Sequence, residues 1–249
     1  YLKKLKNEIF DDFSKLLNRE EIYKRINENM TFSNLESNYN KNIWNLFFHS
    51  GYLTLGKKIE DDGMCYLKIP NEEILKMFSE MFIEIYFEDY EKFLYMSNAL
   101  RKGNISEFEK HLKEVLLQNV GIFDVSGIYR EQFYHGLMLG IILTLKNEYE
   151  ITSNNFSGKG RYDLLLKPKN LEKRKEGIIL ELKVVNAMEN LSEDKIFEKL
   201  ENECDIALQQ IEDKEYDSVL KNAGVENILK IGIAFFGKEV AVKFDRNYS

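Results

Sequence analysis

Hydrophobic residues in the first part of the chain recur three or four positions apart. This spacing places apolar side chains on one face of a helix and separates them from polar neighbours. The pattern predicts helices at residues 2–17, 20–28 and 38–49. The region therefore begins as a mainly helical one.

Two short runs of strand-forming residues follow, 52–55 and 64–69. Asp62-Gly63 lies just before the second run, and this dipeptide is typical of a turn, so the two runs predict a β-hairpin. Asn71 comes next and is a suitable N-cap, which predicts a long helix from there through Leu94. Helices followed by a hairpin favour a winged-helix-like module. The absence of a Lys and Arg excess on its third helix favours interdomain packing over DNA binding.

The second part of the chain alternates between helical and strand patterns. Helices are predicted at residues 105–118, 130–146 and 192–216. Strands are predicted at 149–152, around 160–163, at 177–185, 228–236 and 240–244. This order predicts an α/β fold with a mixed sheet flanked by helices. We set the boundary between the two domains at residues 1–95 and 96–249.

One predicted strand carries two charges inside an apolar run. Glu181 and Lys183 are two residues apart, so they point to the same face, while Ile178 and Ile179 precede them and Val184 follows. A solvated strand face is the simpler interpretation of a Glu-x-Lys pattern. The continuous apolar run instead indicates a strand covered on both faces, where charges need a partner. The pattern therefore favours a functional site.

Composition narrows the possible classes of protein. The 249 residues suffice for one large or two small domains, and the net charge of −7 gives no overall attraction for nucleic acid. Cys65 and Cys204 are too far apart for a metal-ligand motif, so we expect reduced thiols and a cytoplasmic protein. No apolar run is long enough to span a membrane. Because the chain begins at Tyr1 rather than Met, we expect it to be a piece of a longer protein.

The charged residues of the predicted sheet have the chemistry of a metal-dependent phosphodiesterase. Asp163 lies on the strand before that of Glu181, and two carboxylates on neighbouring strands can hold a Mg²⁺ or Mn²⁺ ion. Lys183 can orient a water or offset negative charge on a phosphate. The stretch from Ser157 to Lys175 contains seven Lys or Arg residues and two acidic residues. That basic stretch is open to two interpretations, a solvated loop or a contact with phosphates.

Three sequence blocks carry a resemblance to a known family. They are Phe133-Tyr-His-Gly136; Gly160-Arg-Tyr-Asp163 with Ile179-Leu-Glu-Leu-Lys183; and Ala207-Leu-Gln-Gln-Ile211 with Lys230-Ile-Gly-Ile-Ala-Phe-Phe-Gly237. Together they resemble the PD-(D/E)xK nuclease superfamily, and more narrowly the nuclease-like domain that follows an AAA-ATPase-like domain in many bacterial proteins. His49-Ser-Gly-Tyr-Leu-Thr-Leu55 and Lys68-Ile-Pro-Asn71 resemble the tail of that ATPase-like region. Tyr162 stands where the superfamily name has Pro.

The resemblance implies a restriction-endonuclease-like fold and a role for each matching residue. Asp163 and Glu181 would be metal ligands, the carbonyl of Leu182 a further ligand, and Lys183 the catalytic lysine. Gln210 would be the glutamine on the helix after the third strand, although Gln209 is one position away.

Three residues keep a second interpretation. Glu131 would be the acidic residue of the first helix, or a solvated glutamate in its first turn. His135 is either a site residue on the same helix face as Glu131 or a hydrogen-bonded core histidine. Arg161 is either a phosphate contact or part of a structural salt bridge.

Two functions of different classes follow from these residues. The first is metal-dependent hydrolysis of phosphodiester bonds in nucleic acid, with DNA as the expected substrate and an ATPase-like domain as partner outside this chain. The alternative is a catalytically silent nuclease-like fold that serves as a binding or regulatory module beside an ATPase domain. A third possibility is DNA binding by the N-terminal module.

Overall fold

The computed structural model describes residues 9–17, 19–27, 39–58, 63–87, 90–118, 128–173, 176–185 and 192–247. Residues 2–8 of the first predicted helix, and Asp62 of the predicted turn, lie outside these ranges. The chain divides into two compact units, residues 1–88 and 89–249. In the described part of the chain, no helix combines the length and apolar character needed to cross a membrane.

The first unit combines helices with a small antiparallel sheet. Its elements are α1 (Phe10–Leu17), β1 (Ile22–Arg25), α2 (Tyr39–His49), β2 (Thr54–Lys58), β3 (Met64–Lys68) and α3 (Glu72–Phe87). Strand β3 lies in the centre, between β1 and β2. The hairpin of β2 and β3 follows the strand pattern of the sequence. Asn71 caps α3, because its Oδ1 accepts a 3.0 Å hydrogen bond from the Ile74 N–H.

One prediction for this unit is wrong. The segment predicted as a helix at residues 20–28 contains strand β1, whose Ile22 pairs with Leu67 and whose Lys24 pairs with Cys65 of β3. Pairing with a neighbouring strand has overridden the local helical pattern. The long helix predicted from Asn71 through Leu94 or beyond is helical at Glu72–Phe87 and again from Tyr90 to Arg101, and residues 88 and 89 lie outside the described ranges.

The second unit contains an α/β core. Its helices are α4 (Tyr90–Arg101), α5 (Ile105–Gln118), α6 (Ile128–Leu143), α7 (Glu193–Asp213) and α8 (Ser218–Asn222). Its strands are β4 (Tyr149–Ser157), β5 (Gly160–Pro168), β6 (Glu176–Val184), β7 (Asn227–Phe236) and β8 (Glu239–Asn247). The strands lie in sequence order, and all neighbours are antiparallel except β6 and β7, which are parallel. Helix α7 makes the crossover that a parallel pair requires.

Helices cover both faces of this five-stranded sheet. Gly232 of β7 lets α7 approach closely, because a Cβ there would meet the Cys204 carbonyl oxygen at 2.4 Å. Phe235 points to the other face, where Tyr134 of α6 stacks on it with ring centroids 4.2 Å apart. A mixed sheet between helices confirms the predicted α/β class and is consistent with a restriction-endonuclease-like fold. The close contact at Gly232 fixes the height of α7 above β6 and β7.

Candidate active site

The strands β5 and β6 separate at the position of Asp163. Their antiparallel pairing runs from Leu166 opposite Ile178 to Leu164 opposite Leu180 and then stops. Beyond it, the Leu182 N–H donates a 2.7 Å hydrogen bond to the Asp163 side chain, at Oδ2, instead of to a strand carbonyl. The carboxylate therefore lies between the two strands, next to the Glu-x-Lys segment.

The neighbouring strand β4 is also irregular here. Asn154 has a positive φ of 50°, and it lies between the pairs Ser153–Leu164 and Asn155–Tyr162. Tyr162 and Leu165 pack in the same cluster although they are three positions apart, which regular alternation does not allow. The side chains of β5 therefore do not alternate regularly between the two faces of the sheet around Asp163. This irregularity allows the Asp163 carboxylate to lie between β5 and β6.

Glu181 is buried in the middle of β6, with 3% of its surface exposed. Its two carboxylate oxygens differ sharply. Oε1 accepts hydrogen bonds from the Lys183 ammonium, at 3.3 Å, and from the Gln210 side-chain amide. Oε2 is buried and has no hydrogen-bond partner among the described residues. An unsatisfied buried carboxylate oxygen is costly, and an ion or a water that binds it would remove this cost.

Gln210 of α7 connects the other members of the site. Its Oε1 accepts a 2.6 Å hydrogen bond from Lys183 Nζ, while its Nε2 donates to Glu181 and, at 3.1 Å, to the Tyr216 hydroxyl. Lys183 can only donate, so the amide oxygen of Gln210 must face it. The Tyr216 hydroxyl then donates to the Arg161 carbonyl at 2.6 Å and fixes the far end of the network. The amide has one orientation that satisfies all partners.

Burial and mutual repulsion act on the two carboxyl groups. Burial raises the pKa of Glu181 to about 7; the Asp163 carboxylate adds to this rise, and Lys183 opposes it. Burial also raises the pKa of Asp163, against the Leu182 N–H and the Lys183 and Arg161 charges. Both shifts mean that a nearby cation would stabilise the ionised pair.

The donor set fits a hard divalent cation in chemistry but is small. Asp163 and Glu181 bring two carboxylates together, and the unpartnered Oε2 of Glu181 is an available oxygen ligand. Across the described ranges, no group of three or more His, Cys, Asp or Glu side chains could hold a metal ion. Oxygen ligands from the backbone and from water would have to complete the coordination, as Mg²⁺ commonly requires. The Leu182 carbonyl stays a prediction in this role.

Helix α6 carries two further candidate site residues, Glu131 and His135, whose roles stay predictions. Glu131 is exposed, and among the described residues it forms no hydrogen bond with Asp163, Glu181 or Lys183. His135 is buried, with Nε2 3.3 Å from Asn154 Nδ2 and 3.4 Å from Ser153 Oγ. Burial lowers the pKa of His135 to about 4, although the Asp163 backbone and Glu131 oppose this shift. Its Nδ1 is buried and has no hydrogen-bond partner among the described residues, so both interpretations of His135, site residue and core histidine, stay predictions.

Two of the described basic residues between 157 and 173 are paired with acids. Lys167 pairs with Glu150, and Lys159 pairs with Glu215. Lys169, the first residue after β5, lies about 20 Å along an extended strand from Asp163. Arg161 is the basic residue next to the site. Its Nε donates a 2.7 Å hydrogen bond to the Asn154 carbonyl, and the guanidinium forms no salt bridge with any described residue.

Tyr216 is a member of the site that the sequence did not indicate. It follows the C-terminal end of α7, and its ring is buried against Tyr162. In the sequence it resembles any aromatic core residue, because nothing marks a hydroxyl that will face Gln210. A partner for Gln210 was foreseeable only from the physical need of a buried amide for hydrogen bonds.

The site also lies within the part of the chain that matches a known family. A comparison with curated proteins finds no match to the chain. Comparison with family models does find one, and its range of residues 129–245 contains Asp163, Glu181, Lys183 and Gln210 but not the N-terminal unit. The resemblance of that unit to an ATPase-like region therefore stays a prediction. The segment of residues 129–245, which carries the whole site, matches the PD-(D/E)XK nuclease superfamily.

Proposed function

We propose that this protein is a metal-dependent nuclease that hydrolyses phosphodiester bonds in nucleic acid, with DNA as the expected substrate. One observation carries the proposal. Lys183 and Gln210 both bind Oε1 of the buried Glu181, while Oε2 has no partner among the described residues and Asp163 lies beside it. A purely structural ion pair would satisfy both oxygens. The superfamily match of residues 129–245 supports the same reaction class.

The two carboxylates would hold a Mg²⁺ or Mn²⁺ ion, with the Leu182 carbonyl as a further ligand. When bound, such an ion supplies an activated water and stabilises negative charge on the phosphate. Asp163 is positioned for this role because the Leu182 N–H holds its Oδ2 at 2.7 Å. Glu181 is positioned because Lys183 and Gln210 hold its Oε1.

Lys183 is the cation that the chain itself brings to the reaction. Its side chain is about one-fifth exposed, at 22%, and its ammonium is bound to Glu181 and Gln210. A third N–H of the ammonium can donate to a phosphate oxygen or to the attacking water. This contact offsets negative charge that develops on the phosphate. Glu131 is the proposed acidic residue of the first helix in this scheme, and it is exposed.

Cleavage assays test the proposal. The full chain is incubated with single- and double-stranded DNA and RNA in Mg²⁺, in Mn²⁺ and in EDTA, beside Asp163→Ala and Lys183→Ala. We expect cleavage by the wild type with metal only, and its loss in both variants. No cleavage of any substrate, or equal cleavage by the variants, would overturn the proposal.

A silent nuclease-like module beside an ATPase domain is the second candidate. The two-carboxylate donor set favours it, because the described residues supply no third acidic or histidine ligand. Titration calorimetry with Mn²⁺ separates the two candidates. Binding that Glu181→Gln abolishes supports the nuclease, and no measurable binding at millimolar Mn²⁺ supports the silent module.

A further inference from the structure

The hairpin of β4 and β5 exposes an aromatic side chain close to the candidate site. Phe156 is 75% exposed, which is more than any other large hydrophobic side chain in the described ranges. Single exposed apolar residues are common and need no explanation on their own. This one lies directly opposite Arg161 in the register of the two strands. Arg161 in turn lies two residues before Asp163.

Arg161 places a cation on the same strand surface as the aromatic ring. Opposite residues of an antiparallel pair point to the same face, so the Arg161 and Phe156 side chains share one surface. The Arg161 Nε donates to the Asn154 carbonyl at 2.7 Å, which directs the guanidinium along β4 towards the position of Asp163. By strand geometry, Phe156 and Asp163 have Cα atoms roughly 8 Å apart.

The hairpin that carries Phe156 is fastened to the end of α7. Ser157 Oγ donates a 2.8 Å hydrogen bond to the Tyr216 carbonyl, and the Lys159 N–H donates a 2.7 Å bond to the Lys214 carbonyl. Gly158, at φ 56°, has no space for a Cβ, which would meet the Lys214 oxygen at 2.2 Å. The exposed ring therefore stands on a fixed support and loses little freedom when a ligand covers it.

We propose that Phe156 and Arg161 form a stacking and phosphate-binding pair that receives an unpaired nucleotide next to the candidate active site. An aromatic face beside a guanidinium matches the two parts of a nucleotide, its base and its phosphate. A base is available for stacking only where the strand is single or its pairing is broken. The pair thus selects single-stranded or locally unpaired nucleic acid over an intact duplex. This specificity rests on the proposed nuclease function.

Binding without cleavage tests the pair directly. Fluorescence anisotropy in EDTA measures the affinity of the full chain for a labelled single-stranded oligodeoxynucleotide and for the duplex of the same sequence. We expect Phe156→Ala to weaken single-strand binding about tenfold and duplex binding by less than about twofold, and Phe156→Trp to restore it. Arg161→Gln weakens binding to both and lowers the salt slope by about one phosphate contact. Phe244→Ala is the matched control, since Phe244 is a 48% exposed aromatic on β8.

Four results would contradict the proposed pair of Phe156 and Arg161. It is overturned if Phe156→Ala leaves single-strand affinity unchanged, if it weakens both substrates equally, if Phe244→Ala has the same effect, or if the wild type binds neither oligonucleotide. Cleavage in Mg²⁺ separates this failure from that of the nuclease proposal. If the protein cleaves nucleic acid in Mg²⁺ but its single-strand affinity does not depend on Phe156, the nuclease proposal holds and the proposed pair is wrong. If single-strand binding depends on Phe156 but no substrate is cleaved, the proposed pair holds and the nuclease proposal is wrong.

Discussion

Gln210 Oε1 accepts a 2.6 Å hydrogen bond from Lys183 Nζ, which joins helix α7 to the charged strand β6. The adjacent Gln209 has the same side chain but is exposed and donates instead to Asp213 of its own helix. The two neighbours therefore form a natural matched pair. Gln210 hydrogen-bonds to the candidate catalytic lysine, whereas Gln209 hydrogen-bonds to a residue of its own helix on the surface.

Gln210→Ala should reduce the cleavage rate constant by about 10- to 100-fold, the usual effect of removing a group that orients residues around a metal. The physical reason is that Lys183 loses its second acceptor and Glu181 loses a donor. Single-turnover cleavage at saturating protein measures this constant. Gln209→Ala should cleave at the wild-type rate, and an equal loss in both variants would assign Gln210 to folding instead.

Lys183→Ala should lower the same rate constant by about 10²–10³-fold while leaving nucleic-acid affinity within about twofold. The lysine acts on charge that develops during the reaction, so its removal affects the rate more than the binding. The surface lysine Lys199 of α7, changed to Ala, is the control. A matching loss of affinity in Lys183→Ala would show that the lysine serves binding rather than catalysis.

Glu181→Gln should stabilise the metal-free protein by about 1–2 kcal/mol. A buried carboxylate beside Asp163, with one oxygen unpartnered, costs folding energy that a neutral amide of the same shape avoids. Urea unfolding in EDTA measures this gain in free energy of unfolding. In millimolar Mn²⁺ the wild type should gain stability and the variant should not, because only the wild type binds the ion. A variant less stable than the wild type in EDTA would show that Glu181 is a structural residue.

Gly232→Ala should destabilise the protein by about 1–3 kcal/mol through overpacking. The added Cβ would lie 2.4 Å from the Cys204 carbonyl and 3.1 Å from the Ala207 Cβ, so α7 must move away from β7. This movement carries Gln210 away from Lys183. Urea unfolding and single-turnover cleavage should both be impaired, and an impaired stability with normal cleavage would mean that the site tolerates displacement of α7.

A second charged cluster gives a prediction about pH. Lys230 is 1% exposed and lies 3.0 Å from the carboxylate of Asp217. Burial opposes ionisation of Asp217, but hydrogen bonds from Lys221 and Lys230 outweigh it and hold its pKa below the usual value. A carboxyl group with a lowered pKa stabilises the fold above its unfolded pKa and loses this effect as the pH falls through its folded pKa.

Asp217→Asn should therefore be less stable than the wild type at pH 7, and the difference should shrink as the pH falls below about 4. Urea unfolding between pH 3 and pH 7 measures the difference. Asp213→Asn, at an exposed position of the same region, is the control and should show a small effect throughout. A difference that stays constant with pH would exclude the charge of Asp217 as its cause.

Local patterns were sufficient to predict most of the second unit. The alternating helical and strand segments and the buried position of Glu181 follow from side-chain periodicity. The failures have tertiary causes. Strand β1 exists because it pairs with β3, and no local pattern encodes that partner.

For the site as well, some residues could be predicted from local sequence patterns and others depended on tertiary packing. Glu181 and Lys183 are a short-range pattern and could be found in the sequence. The contact of Gln210 rather than Gln209 depends on the height and rotation of α7 over Gly232, which only the packed structure fixes. The separation of Arg161 from the rest of the basic stretch likewise depends on where β5 begins and ends.

Initial rates of cleavage of a labelled oligonucleotide, in Mg²⁺ and in EDTA, test the central claim most directly. The comparison uses the wild type, Lys183→Ala and Gln209→Ala at equal concentration, with matching unfolding curves as proof of folding. The account predicts metal-dependent cleavage by the wild type and Gln209→Ala and a rate at least about 100-fold lower for Lys183→Ala. Cleavage that persists in EDTA, or that Lys183→Ala retains at the wild-type rate, would contradict it.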